Sequence, residues 1–241
     1  MSWDRSKGRP EPIAALNRIV EKDNGEPLVD IRKAVPKVRI FRKATIPYVR
    51  QTVAEMLKRA AASLPKGYYL SLTEGWRPLE RQRLIYEFMS KSLLEVKPDI
   101  DYATLRRTIN RWVAPVDQKA PPGHCTGAAV DVYLVDKKNE PYDVTSPFER
   151  FESGPTYVRG LSPAARRNRD LLLSTMLGVG FSNCRDEWWH YSYGDAGWAV
   201  RTGRKRCVYG LIELDESLFK EQQRLWVVER KKRKNPFKGN L

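Results

Sequence analysis

The stretch Pro121-Pro122-Gly123-His124-Cys125-Thr126-Gly127-Ala128-Ala129-Val130-Asp131-Val132-Tyr133-Leu134-Val135 decides how this chain is read. Its prolines close a loop over 114–123, and residues 127–135 then read as a strand. Successive strand side chains point to opposite faces, so Val130, Val132 and Leu134 share one face while Ala129, Asp131 and Tyr133 share the other. The first face belongs to a core. The second carries a lone carboxylate among small or amphipathic side chains, as the wall of a site would, and His124 stands just ahead of it.

Working outward, a loop with Pro141, Pro147 and Pro155 leads to a helix over 163–177, ended by Gly178 and Gly180. An aromatic strand follows over 188–193, then an amphipathic helix over 214–228. Upstream, Tyr68, Leu70 and Leu72 alternate with polar neighbours as a strand that runs into Glu74-Gly75-Trp76-Arg77-Pro78. Helices over 79–94 and 102–112 come next. Before that strand, Val49, Val53, Met56, Leu57, Ala60 and Leu64 fall at helical spacing behind Pro47, and Pro65-Lys66-Gly67 stops the run. Val38 and Ile40 suggest a short strand. Residues 1–36 read as an irregular arm with one short helix, 37–212 as the catalytic domain, and 213–241 as a C-terminal helix with a basic tail. Helices and strands mix without a βαβ rhythm, which predicts a single α+β domain.

Composition narrows the classes. With 41% hydrophobic and 10% aromatic residues the chain has a core to bury and is not a disordered polymer. No apolar run reaches the ~20 residues that span a bilayer. No leader stands at the N-terminus, so a cytoplasmic location is expected. The three cysteines, Cys125, Cys184 and Cys207, are odd in number and show no CxxC spacing, which argues against a disulfide framework or a cysteine-built zinc site. The net charge is +15, and the run Arg230-Lys231-Lys232-Arg233-Lys234 is its densest part. That run reads as a solvated, partly disordered tail rather than as a nucleic-acid contact. Nothing in the sequence sets an oligomeric state.

The chain has only two histidines, His124 and His190. Catalytic zinc takes three protein ligands of nitrogen and oxygen type and keeps one position open. His124, Asp131 and His190 can supply that set, and Glu187, placed in the turn before the aromatic strand, is a suitable general base. Two histidines and an aspartate can equally be satisfied structural residues, and the same donor set suits Fe(II). On spacing alone these readings stand side by side. Cys125 beside His124 is not taken as a nucleophilic pair, since sequence neighbours rarely make one.

The motifs carry a resemblance. His124-Cys125-Thr126-Gly127-Ala128-Ala129-Val130-Asp131 resembles the HxxGxAxD zinc motif of the VanX-type D-alanyl-D-alanine dipeptidases, and Glu187-Trp188-Trp189-His190 resembles their ExWH motif. Glu74-Gly75-Trp76-Arg77-Pro78 is similar to the family's DGYRP segment. The likeness runs from about residue 28 to 210. It implies the α+β fold shared by D,D-carboxypeptidases and the Hedgehog signalling domain, with a mostly antiparallel sheet flanked by helices. It further implies one zinc ion per chain on His124, Asp131 and His190, with Glu187 as base and Arg77 at the developing oxyanion. Trp76 and Glu149 would touch the substrate, Glu149 of Phe148-Glu149 standing where the family has FD. Gly123 stands where some relatives carry serine.

The expected reaction is zinc-dependent hydrolysis of D-Ala-D-Ala or a similar small D,D-dipeptide to free amino acids. Two rivals stand beside it: a peptidoglycan D,D-carboxypeptidase or endopeptidase, and a non-catalytic zinc-bearing module whose basic tail meets an anionic partner.

Overall fold

The computed structural model describes residues 3–148 and 150–238. At its centre lies a five-stranded sheet in the spatial order Arg39–Ile40, Tyr69–Glu74, Ala129–Val135, His190–Ser192, Ser182–Asn183. The first pair is parallel and the other three pairs are antiparallel. The architecture is α+β, as the sequence predicts.

The central strand shows the expected alternation. Val130, Val132 and Leu134 are at most 1% exposed and pack under the helices Gln51–Ser63 and Pro163–Gly178. Those helices add Val53, Met56, Leu57 and Ala60 from one side, and Leu172 and Met176 from the other, to the same cluster. The opposite face of the strand is left for the site. Leu172 is fully buried. Leu172→Ala is therefore expected to cost about 2–5 kcal/mol of stability, from lost transfer energy plus a cavity. A thermal melt checks this, and a midpoint matching the parent's would contradict it.

Two local readings are corrected. Residues 48–50 do not open the helix behind Pro47. Tyr48–Arg50 is a strand, paired antiparallel with Leu28–Asp30, and the helix begins at Gln51. Val49 satisfies either period, and the partner strand, which local spacing cannot show, decides between them. The stretch up to residue 36 also holds more than one short helix. Ile13–Leu16 and Ile31–Ala34 are helical, and Val20–Glu21 pairs with Arg206–Cys207. Ile31 and Val35 sit in the main core.

At the C-terminus the helix starts later than its spacing suggests, at Lys220, after a 3-10 turn over Glu216–Leu218 that Asp215 caps through the Ser217 N–H. The run 230–234 lies on the end of this helix and the turn beyond it, not in a disordered tail. Just after it, Asn235 donates its side-chain amide to the Ser92 carbonyl at 2.8 Å. No described helix is long and apolar enough to cross a membrane.

Candidate active site

The site begins with sheet register. Asp131 is the direct cross-strand partner of His190 on one side and of Glu74 on the other. Direct partners project on the same face, so these three side chains are neighbours by construction. His190 Nδ1 lies 3.0 Å from Asp131 Oδ1.

His124 arrives from the loop ahead of the strand. Gly123–Thr126 forms a 3-10 turn that ends on Gly127 at φ +71°. Only glycine takes that conformation easily, and a Cβ there would run into Leu28 Cδ2. Buried Arg50 holds the turn in place, its Nε donating to the Thr126 carbonyl at 2.8 Å and its Nη2 pairing with Asp23 at 2.7 Å. His124 Nδ1 donates to the Gly75 carbonyl at 2.9 Å, which leaves Nε2 as the atom facing inward, 3.3 Å from Asp131 Oδ1.

The donor set fits a metal. One ligand atom from each of His124, Asp131 and His190 lies within 4.8 Å of the others. Tetrahedral zinc with bonds of about 2.0–2.1 Å sets its donors roughly 3.3 Å apart. The His124–Gly75 hydrogen bond is the kind of outer contact that fixes the tautomer of a ligating imidazole.

Glu187 sits in the turns just before the His190–Ser192 strand, where its carbonyl accepts from the His190 N–H at 3.2 Å. Its Oε2 lies 3.9 Å from His190 Nδ1. The two carboxyls of the site are pushed apart. For Glu187, burial and the neighbouring Asp131 charge raise the pKa well above the usual carboxylate range, against the pull of Arg77. For Asp131, burial acts upward, but the charges and hydrogen bonds of His124 and His190 prevail and hold it well below that range. One carboxyl is thus a fixed anion and the other is suited to carrying a proton.

Arg77 follows the strand Tyr69–Glu74 and donates its backbone N–H to the His124 carbonyl at 3.1 Å, tying two walls of the site together. Its Nε lies 3.3 Å from Glu74 Oε1 and its Nη1 donates to Gln82 Oε1 at 2.6 Å. Gln82 is fixed in turn by the Ala114 carbonyl at 2.7 Å. Arg81, wholly buried, reaches the same Glu74 oxygen at 3.7 Å. Burial brings its guanidinium down to about 10, with Glu74 acting the other way. Sequence reasoning passed over Arg81 and Gln82. The available signal was a charged and an amide residue one helical turn beyond Arg77.

A cavity of about 790 Å³ joins Arg77, His124, Asp131, Glu187 and His190 and runs on to Arg107, Arg111 and Trp112. Trp76 does not reach it. It is 2% exposed, packs edge-on to Phe219 and donates its indole N–H to the Ile212 carbonyl at 2.9 Å. Glu149 lies outside the described residues. The Cys125 thiol is buried and pushed up to about 12 by that burial, which leaves it inert.

Residues 33–206 match the D-ala-D-ala dipeptidase family. A D-alanyl-D-alanine dipeptidase of Synechocystis sp. is 26% identical over 242 residues, covering 84% of this chain and 98% of that protein. The D-alanyl-D-alanine dipeptidase of Escherichia coli is 26% identical over 158 residues, covering 65% of this chain and 72% of its own length. A solved structure of VanYB in complex with D-alanine-D-alanine shares 15% identity at a TM-score of 0.44, covering 85% of this chain and 92% of that one.

Proposed function

Because this chain belongs to the D-ala-D-ala dipeptidase family, we propose that it hydrolyses D-alanyl-D-alanine, or a closely similar small D,D-dipeptide, using one zinc ion held by His124, Asp131 and His190. The observation that carries the residue assignment is the convergence of two imidazole nitrogens and one carboxylate oxygen on a single point of the cavity wall, with a proton-hungry carboxyl beside them.

His124, Asp131 and His190 would hold the zinc ion, which when bound would polarise the scissile carbonyl and lower the pKa of the attacking water. Glu187 takes the proton that this water gives up as its oxygen bonds to the carbonyl carbon. When the C–N bond breaks, the same carboxyl hands that proton to the leaving amine, so one residue serves both halves of the reaction. Asp131 stays ionised throughout. Arg77 carries a permanent charge at the cavity wall and stabilises the carbonyl oxygen as it becomes negative. Glu74 and Gln82 hold its guanidinium so that little reorganisation accompanies the reaction.

Removal of that charge gives a clear expectation. Arg77→Ala should lower kcat by about 10²–10³-fold, the usual loss for one oxyanion donor, with bound zinc unchanged. Arg77→Lys should recover only part, because a point charge cannot reproduce the two-armed anchoring. Steady-state kinetics with metal analysis decides, and parental kcat in Arg77→Ala removes the residue from the reaction.

The reaction itself is tested by release of D-alanine from D-Ala-D-Ala, with L-Ala-L-Ala as control. One observation favours a second reading, a D,D-carboxypeptidase acting on longer peptidoglycan peptides. The cavity is of a size that suits ligands larger than two alanines and continues past the metal centre to Arg107 and Arg111. An N-acylated D-Ala-D-Ala in the same assay separates the two. Turnover of the acylated peptide in preference to the free dipeptide would move the assignment to the second reading.

A further inference from the structure

The segment beyond residue 206, outside the part of the chain that matches the family, returns to the site. Ile212 donates its N–H to the Cys125 carbonyl at 3.3 Å and accepts the Trp76 indole N–H at 2.9 Å. One residue thereby bridges the turn that carries His124 and the turn that carries Arg77. Phe219 packs on Trp76 with ring centroids 5.2 Å apart. The helix Lys220–Lys231 then covers Arg81. Arg81 Nε and Nη2 donate to Gln223 Oε1 at 3.0 and 2.9 Å, Nη2 also reaches the Gln222 carbonyl at 3.3 Å, and the guanidinium carbon lies 5.0 Å from the centroid of Trp226.

The remaining Arg81 nitrogen, Nη1, donates to the Ala44 carbonyl at 3.3 Å and faces, at 3.7 Å, Glu74 Oε1, the oxygen that also faces Arg77 Nε. Glu74 is a buried carboxylate held between two guanidinium groups, and neither ion pair is independent of the other. A buried charge that loses one partner is left less compensated and depends more on the one that remains. If Arg81 drifts, Glu74 tightens on Arg77 and draws its guanidinium back from the cavity.

We propose that the C-terminal helix, through Gln223 and Trp226 on Arg81, positions Arg77 for the reaction by fixing the carboxylate the two arginines share. Gln223, Trp226 and Arg81 are positioning residues in this scheme and touch no substrate. The inference rests on the role given above to Arg77.

A double-mutant cycle in the full-length protein tests it. Gln223→Leu should lower kcat for D-Ala-D-Ala by about tenfold, since small displacements of a reacting group cost rate steeply, with KM and bound zinc unchanged. In an Arg77→Ala background the same substitution should cost nothing further. If Gln223→Leu melts well below the parent, Gln223→Asn, which stays polar but withdraws the amide oxygen from Arg81, carries the same cycle. Losses that simply multiply, or a Gln223→Leu protein with parental kcat, overturn the proposal while leaving Arg77 in its role. An Arg77→Ala protein with parental kcat overturns the role of Arg77 and this inference together.

Discussion

Glu187→Gln is expected to lower kcat by about 10²–10⁴-fold, the range for loss of a general acid–base, while one zinc ion per chain is retained. The amide keeps the volume of the side chain but cannot accept and return a proton. The metal donors come from other positions, so the loss should fall on the chemical step and not on metal content. The pH profile gives an independent check. Glu187 must be ionised to take a proton, so the rate falls as pH drops through its pKa. Burial raises that pKa, while Arg77, and a zinc ion when bound, act the other way. Arg77→Ala should therefore move the limb to higher pH, whatever its starting position. A Glu187→Gln protein with full zinc and full activity would take the base assignment away.

Exhaustive chelation is expected to abolish hydrolysis, and stoichiometric zinc to restore it. Two histidines and an aspartate offer donors within 4.8 Å of one another, and a dication held there would polarise a carbonyl more strongly than the guanidinium groups of the same cavity. The same experiment should register as stability. A ligand that binds only the folded chain adds about 2.7 kcal/mol when present at a hundred times its Kd. Chelated protein should thus melt lower than zinc-loaded protein, and His190→Ala should show neither activity nor the zinc-dependent rise. Turnover that survives removal of all metal would be incompatible with the proposed reaction.

Much of this could be read from residues alone, for a definite reason. The strand Ala129–Val135 is long enough to display its period, so Asp131 stands out against Val130 and Val132. His190 lies on a strand of three residues, too short for periodicity, and stands out because the chain holds only one other histidine and because Glu187-Trp188-Trp189-His190 resembles the ExWH motif. The strand Tyr48–Arg50 was hidden because its partner, Leu28–Asp30, lies well upstream in the chain. The sharing of Glu74 by Arg77 and Arg81, and the hold of Gln223 on Arg81 from 142 residues away, are tertiary facts with no local pattern. Net charge hides the same kind of tertiary fact. A count of basic residues treats them all as facing solvent, yet Arg50, Arg81 and Arg169 are at most 2% exposed and serve as internal hydrogen-bond hubs. Arg169 alone gathers the carbonyls of Val144, Ser153 and Pro155.

The pairing of Asp131 with His190 also sets where this chain can change in length. Side chains on a strand invert with every step, so a one-residue slip of Ala129–Val135 against His190–Ser192 would turn one donor toward the apolar layer beneath the sheet. The connection from Asp136 to Gly160 is under no such rule. It is held instead by hydrogen bonds, Arg169 donating to the carbonyls of Val144, Ser153 and Pro155 and the Trp188 N–H reaching the Gly154 carbonyl at 3.0 Å. Changes of length in chains built on this plan should therefore be tolerated only where they leave both the strand register and these hydrogen bonds in place.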